Sequence, residues 1–386
     1  MTGTNPSWAD AEIAVVGGGP AGAAAAAWLA EAGRRVLVIE RTTGPHETVC
    51  GEFVSVEAVA LLRRLGLDLG ALGAVPVERT RIVAGRQDAA VALPFPALSL
   101  PRRVMDEALL AAAAARGAAV LRGATVRSLE PGTEGVVLRL SGGREIGAAA
   151  AMLATGKHDL GGRRRLAPGG GRLIGLKQHW RLAPSQARNL EGHVEVHLFP
   201  GGYAGLQPST GGRANLCLVV ERGVYLALGR SWPGLLAGIG RAVPLFAERL
   251  AGAEPCTERP AAIAEIPYGF VQRGPAFERT ACLGDQLAVI PSLSGDGMAI
   301  ALDSAWRAAG AHLAGLAPPD GARYRGQVAR ARLAAAALRN PWTAMAVLGL
   351  SRRMPGLIRA AARGTRVPGA AGTPTPGAAG TPAPAA

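Results

Sequence analysis

The feature that most constrains this chain is a knot of glycines between a short apolar run and an alanine-dense one. Val15-Val-Gly-Gly-Gly-Pro-Ala-Gly22 places glycine at 17, 19 and 22. Residues 12–16 read as a strand, 20–32 as a helix, and 35–40 as a second strand ending on the acid Glu40. In that context each glycine has its own task. Gly17 permits a tight turn, Gly19 lets a diphosphate approach the backbone, and Gly22 lets the helix pack closely on the sheet. The diphosphate then sits at the helix N-terminus, where free N–H groups and the macrodipole favour an anion. Glu40 is expected to accept hydrogen bonds from the adenosine ribose, with Ala21 and Arg41 completing the cradle. The motif alone does not say which dinucleotide binds.

With 386 residues the chain can bury a large core in about two domains. Its 49% hydrophobic and 18% charged residues fit a globular enzyme. A net charge of +14, almost all arginine because only Lys157 and Lys177 are lysines, favours anionic partners. No basic run is interleaved with aromatics, which argues against nucleic acid. Cys50, Cys217, Cys256 and Cys282 are too scattered for a zinc site or redox pair, so no metal is expected and a reducing cytoplasm is. Residues 1–12 lack a basic n-region and a cleavage pattern, so no signal peptide is read. Residues 13–32 are apolar enough to imitate a membrane span, but the glycines and Pro20 interrupt them.

Further along, helices are expected at 55–65, 101–116, 230–250 and 295–316, with short strands at 118–121, 125–130, 135–140 and 151–154. Between 173 and 220 longer alternating runs suggest an antiparallel sheet with one face solvated or turned to a ligand. Residues 321–366 carry ten arginines and no acid, with helical propensity broken at Pro341 and Pro355. The Pro/Gly/Ala/Thr tail from 367 to 386 cannot build a core and reads as disordered.

Two further segments carry a family resemblance. Cys282-Leu-Gly-Asp285 closes a late strand, and Pro291-Ser-Leu-Ser-Gly-Asp-Gly297 leads through Met298 into a helix. These resemble the flavin-binding segment of the para-hydroxybenzoate hydroxylase and geranylgeranyl reductase superfamily. The resemblance implies FAD, with Asp285 on the ribityl chain and Gly295, Gly297 and Met298 at the isoalloxazine edge. A helix N-terminus there would favour the anionic reduced flavin. Pro101-Arg102-Arg-Val-Met-Asp106 resembles the family's Arg-x-x-hydrophobic-Asp helix start, which implies that Arg102 contacts the cofactor. Where the family carries Asp-Gly after a strand, this chain has Thr155-Gly156.

The expected fold is α/β: a Rossmann-type FAD-binding domain interrupted by a mostly antiparallel β substrate domain, then a helical C-terminal segment. Segments 1–75, 101–160 and 275–320 are assigned to the FAD domain, 76–100 and 161–274 to the substrate domain, and 321–366 to the basic segment.

A single dinucleotide motif, without a CxxC pair, means that the reductant visits transiently as NAD(P)H or arrives on a separate electron donor. Pro45–Glu52 resembles the Cys-Gly turn of the reductases, which makes Cys50 and Glu52 the catalytic candidates, with inert readings as a buried thiol and a helix-start charge. Gly202–Pro208 resembles the reductases' Tyr-x-Trp-x-Phe-Pro stretch, but Gly205 and Gln207 replace the Trp and Phe. The thinned aromatic wall favours an NAD(P)H-driven phenolic monooxygenase over a prenyl or quinone reductase, with a flavin electron carrier as the third reading. Halogenation is disfavoured because the halogenases' Trp-x-Trp-x-Ile-Pro stretch is missing. His179 and Lys177 fall on a strand of the presumed substrate sheet, where a structural role is the simpler reading. A lipophilic substrate is expected, and the basic segment makes peripheral membrane contact an option.

Overall fold

The computed structural model describes residues 11–161, 165, 172–273, 279–354 and 356–367. Residues 1–10, Arg163, Arg164 and the tail beyond 367 that was expected to be disordered lie outside the described residues.

Five parallel strands form one sheet, in the order Thr280–Cys282, Ala150–Leu153, Ile13–Val16, Val36–Glu40, Ala119–Arg122. Every residue of Ile13–Val16 and Val36–Glu40 is buried, as a parallel sheet covered on both faces demands. Helix Pro20–Glu31 packs against the helices Arg102–Ala115 and Gly297–Leu313. Its Ala23–Ala27 run is wholly buried, and small side chains on every side allow that close approach.

The second sheet has nine strands and is antiparallel except where His193–Phe199 runs parallel to Val75–Ala84. Leu173–Arg181, Arg213–Glu221 and Gly202–Ser209 are neighbours at its centre, and the two-residue strand Phe53–Val54 forms one edge. A separate three-stranded sheet joins Val126–Pro131, Val136–Leu140 and Glu145–Ala148.

Side-chain alternation gives the large sheet two different faces. Leu176, Trp180, Leu206, Leu216 and Leu218 pack on Leu235, Ile239 and Phe246 of the helices Trp232–Ala242 and Pro244–Leu250. Register places Gly175, Val219 and Tyr203 side by side on the other face, then Lys177, Cys217 and Gly205, then His179, Asn215 and Gln207. This second face borders the main cavity through Cys217 and Val219.

Two local features differ from expectation. The single helix expected over 230–250 is two, because Pro244 forces Val243 into an extended conformation (φ −134, ψ 91). Glu145–Ala148 becomes a strand despite a weak β signal, held by pairing with Val136–Leu140. The basic segment folds as helices Arg325–Arg339, Pro341–Arg353 and Gly356–Gly364. Asn340 Oδ1 accepts the Trp342 N–H at 2.9 Å and so caps the middle helix. Among the described residues no helix is long and apolar enough to cross a membrane.

Candidate active site

The cradle is shaped by main chain. Gly17 has φ +104, and a Cβ there would lie 2.5 Å from the Ala154 carbonyl oxygen. A Cβ on Gly22 would lie 1.9 Å from the Gly17 oxygen, so the helix approaches the turn only because both positions lack side chains. Helix Pro20–Glu31 starts with no side-chain cap and no acid in its first turn, which leaves its N-terminus for an outside anion. Glu40 braces the loop as well: its Oε2 accepts the Gly18 N–H at 2.7 Å and its Oε1 accepts the Thr42 N–H at 2.9 Å. Burial raises the Glu40 pKa, but these hydrogen bonds outweigh it and leave the carboxyl below its ordinary value.

One cavity of about 710 Å³ runs from this cradle to the start of helix Gly297–Leu313. Gly17, Gly19, Ala21, Glu40, Arg41, Cys50, Glu52, Arg102, Asp285, Gly295, Gly297 and Met298 all line it. Gly22 stands behind it, packed on Gly17. At the far end Asp296 occupies the N-cap position without a side-chain cap bond, and a Cβ on Gly297 would meet nothing within 4 Å. The cavity therefore has an uncapped helix N-terminus at each end, one suited to a diphosphate and one to an anionic ring edge. The residues present fit FAD.

Between the two ends, Asp285 is paired with Lys157 Nζ at 3.1 Å. Burial pulls the Lys157 pKa down, but Asp285 more than compensates and holds it above the ordinary value. Gln286 Nε2 donates to the Gly156 and His158 carbonyls, both at 2.9 Å, tying the Thr155-Gly156 turn to the Asp285 loop. Arg102 grips Asp106 in a bidentate pair at 2.8 and 2.7 Å, and its guanidinium also faces the Cys50 thiol.

Glu52 is the most constrained residue of the site. It is fully buried and adopts φ +62, a left-handed conformation uncommon for a residue with a side chain. Its Oε1 accepts the Arg102 N–H at 3.1 Å and Lys177 Nζ at 2.5 Å, and its Oε2 lies 2.9 Å from His179 Nε2. Lys177 also reaches Glu47 Oε2 at 2.5 Å. Burial raises the Glu52 pKa, yet the His179 hydrogen bond and the Lys177 charge leave it below the ordinary value. Burial likewise lowers that of Lys177, and Glu52 and Glu47 reverse the shift. Glu47, Glu52 and His179 have ligand atoms close enough for a metal, but the Lys177 ammonium sits at 2.5 Å from both carboxylates.

The Cys50 turn is fixed from the sheet, because Asn215 Nδ2 donates to the Cys50 carbonyl at 3.2 Å and to the Gly51 carbonyl at 2.9 Å. The structure thus gathers Cys50 and Glu52 with Lys177 and His179, for which a structural role was the simpler reading of the sequence. Their spacing of two on one strand, opposite a Glu-rich turn, was the available signal. Val49, Val219, Ile263 and Ile266 make the adjoining cavity wall apolar.

A family described as an FAD binding domain matches residues 10–149. The menaquinone reductase of Mycobacterium tuberculosis is 28% identical over 315 residues, 76% of this chain and 74% of that protein. The menaquinone reductase of Mycolicibacterium smegmatis is 34% identical over 160 residues, where the match spans 40% of this chain and only 39% of that relative. Among solved structures, a flavoprotein/dehydrogenase from Cytophaga hutchinsonii has a TM-score of 0.72 at 18% identity, covering 92% of each chain. The flavin-dependent brominase Bmp2 has 0.71 at 19% identity, covering 92% of this chain and 93% of its own. These structures share the fold. Residues 10–149 thus match an FAD binding domain, and the chain is an FAD-dependent oxidoreductase. The glycine cradle fits the adenine dinucleotide end of FAD, and the uncapped start of helix Gly297–Leu313 fits its flavin end.

Proposed function

We propose that this flavoenzyme saturates a carbon–carbon double bond of a prenylated, quinone-type lipid, drawing electrons from NAD(P)H that visits the site transiently. The observation that carries the reading is the Glu52–Lys177–His179 cluster, buried and charged beside a cavity wall that is otherwise apolar. FAD, when bound, supplies the hydride. The carbon that does not receive the hydride needs a proton, and a dry wall can provide one only from a placed side chain. Cys50 presents its thiol to the cavity, and its turn is pinned by Asn215. The Arg102 guanidinium faces that thiol. Glu52 positions the turn, with Lys177 balancing its charge and His179 Nε2 in hydrogen-bond contact with its Oε2. The apolar stretch of Val49, Val219, Ile263 and Ile266 suits an isoprenoid chain and excludes water. The names of the mycobacterial relatives agree with this substrate class.

Aromatic hydroxylation is the second reading, favoured by Gly205 in place of an aromatic on the cavity-facing side of the sheet. Purified holoenzyme is incubated with NAD(P)H and a detergent-dispersed prenyl naphthoquinone under oxygen-18, and the product is read by mass spectrometry. A product gaining only hydrogen supports reduction. Incorporated oxygen-18 overturns it in favour of hydroxylation. NAD(P)H oxidation seen only with an artificial acceptor would leave an electron carrier.

A further inference from the structure

We infer that the helix Pro341–Arg353 is a docking surface for an anionic lipid bilayer. Its two sides are both apolar, which an ordinary surface helix does not allow. Ala344 and Leu348 are buried and pack in one cluster with Tyr203, Val219 and Tyr268. On the opposite side Trp342, Ala346, Leu350 and Met354 follow one another at four-residue spacing, and all are exposed. Trp342 is 85% exposed, Met354 54%, Leu350 49%, and Leu333 on the preceding helix 74%. A contiguous apolar surface of this kind on a folded protein marks something that covers it.

Charge identifies the cover. Arg325, Arg330, Arg332, Arg353, Arg359 and Arg363, spread over the three helices of this segment, are all exposed, and the segment from 321 to 366 contains no acidic residue. A second copy of the chain would bring the same cations face to face, against a net charge of +14 on each. A bilayer offers what this surface lacks: hydrocarbon for Leu350 and Met354, an interfacial layer for the Trp342 ring, and anionic headgroups for the arginine rim. The asymmetry of the helix then has a reason. Its inner side packs on the strands Val75–Ala84 and Gln87–Ser99 and joins the cluster that forms the wall at Val219 and Tyr268, both of which line the cavity. Docking therefore brings the outer side of that wall to the membrane, the phase in which a lipophilic substrate is dissolved.

The test uses full-length holoprotein and flotation with vesicles of neutral phosphatidylcholine or of phosphatidylcholine with phosphatidylglycerol. Wild type should float with the anionic vesicles at low salt and be released as salt rises, because headgroup attraction is screened. The double variant Trp342→Ser, Leu350→Ser alters two exposed positions, so flavin content should be unchanged while vesicle partitioning falls by about tenfold or more. Equal recovery in solution with both vesicle types, or undiminished binding by the double variant, overturns the proposal. So does a concentration-dependent dimer that the same variant dissolves, since a second copy would then be the cover.

Discussion

Gly17, Gly19 and Gly22 shape one end of the cavity by having no side chains, whereas beyond it Glu52 lines the wall and is held from behind by the side chains of Lys177 and His179. At the cradle the main chain does the binding, so the residue type is dictated by clearance and φ. On the sheet face the main chain is an ordinary antiparallel ladder, whose hydrogen bonds do not dictate which side chains stand at positions 177 and 179. The first kind of site writes itself into sequence as spacing, while the second exists only after the strand Leu173–Arg181 is laid beside the turn at 47–52.

The sharpest way to break the contrast is at Gly22. Gly22→Ala puts a carbon 1.9 Å from the Gly17 oxygen, so purified protein should carry no FAD, read as loss of absorbance near ~450 nm. Gly19→Val should have a lesser effect, since its Cβ first meets the Arg102 guanidinium at 3.3 Å. Retention of full flavin by both variants would mean that the cradle is not where the cofactor binds.

On the sheet side the expectation is reversed. Glu52→Gln keeps the shape but removes the charge that holds Lys177, so turnover should fall by about 10²–10⁴-fold with flavin occupancy unchanged. If flavin is lost instead, the wall and the cradle are one cooperative unit and the contrast fails. Asp285 tests the middle ground. Asp285→Ala should weaken flavin binding by about 1.5–3 kcal/mol, less than the glycine substitutions, as measured by titration of the apoprotein.

The smallest expected effect is a pH dependence. Burial pushes the Asp296 carboxyl up from 3.8 to about 7 against the pull of Arg366. The native state therefore holds a proton that the unfolded chain releases near 3.8, and stability should fall as pH rises from about 4 through about 7. Asp296→Asn should flatten that part of a plot of Tm against pH. An unchanged slope would show that Asp296 is not the group responsible.

The same contrast explains what could be read beforehand. The parallel sheet and its glycine turn were legible because Ile13–Val16 and Val36–Glu40 are continuous buried runs flanking a motif whose spacing has a steric cause. The antiparallel sheet showed through alternation at 194–199 and 214–220. The Glu52 cluster was legible only in halves. Cys50 and Glu52 stood out by resemblance, but His179 is 127 residues from its partner and Lys177 is 125, and no local pattern encodes such a contact. The fully buried Lys177 could not be told from a surface lysine without the two carboxylates that keep it charged.

Arg366 lies 2.8 Å from Asp296, without hydrogen-bond alignment, and its Nη2 donates to the Ser294 carbonyl. Gln327 Nε2 reaches the same Asp296 at 3.0 Å. The loop that would face the flavin is thus held by residues that leave the ribosome well after it does. The diphosphate cradle is synthesised first, the ring-facing loop some 270 residues later, and its clasp later still. We predict that cofactor capture is a late event in biosynthesis, with the early chain able to fold its glycine turn but unable to retain the isoalloxazine. Stalled nascent chains ending before Gly297 should exchange added FAD freely, and durable retention should appear only once Arg366 has cleared the exit tunnel. Chains that hold FAD before then would place the decisive grip in the first domain alone.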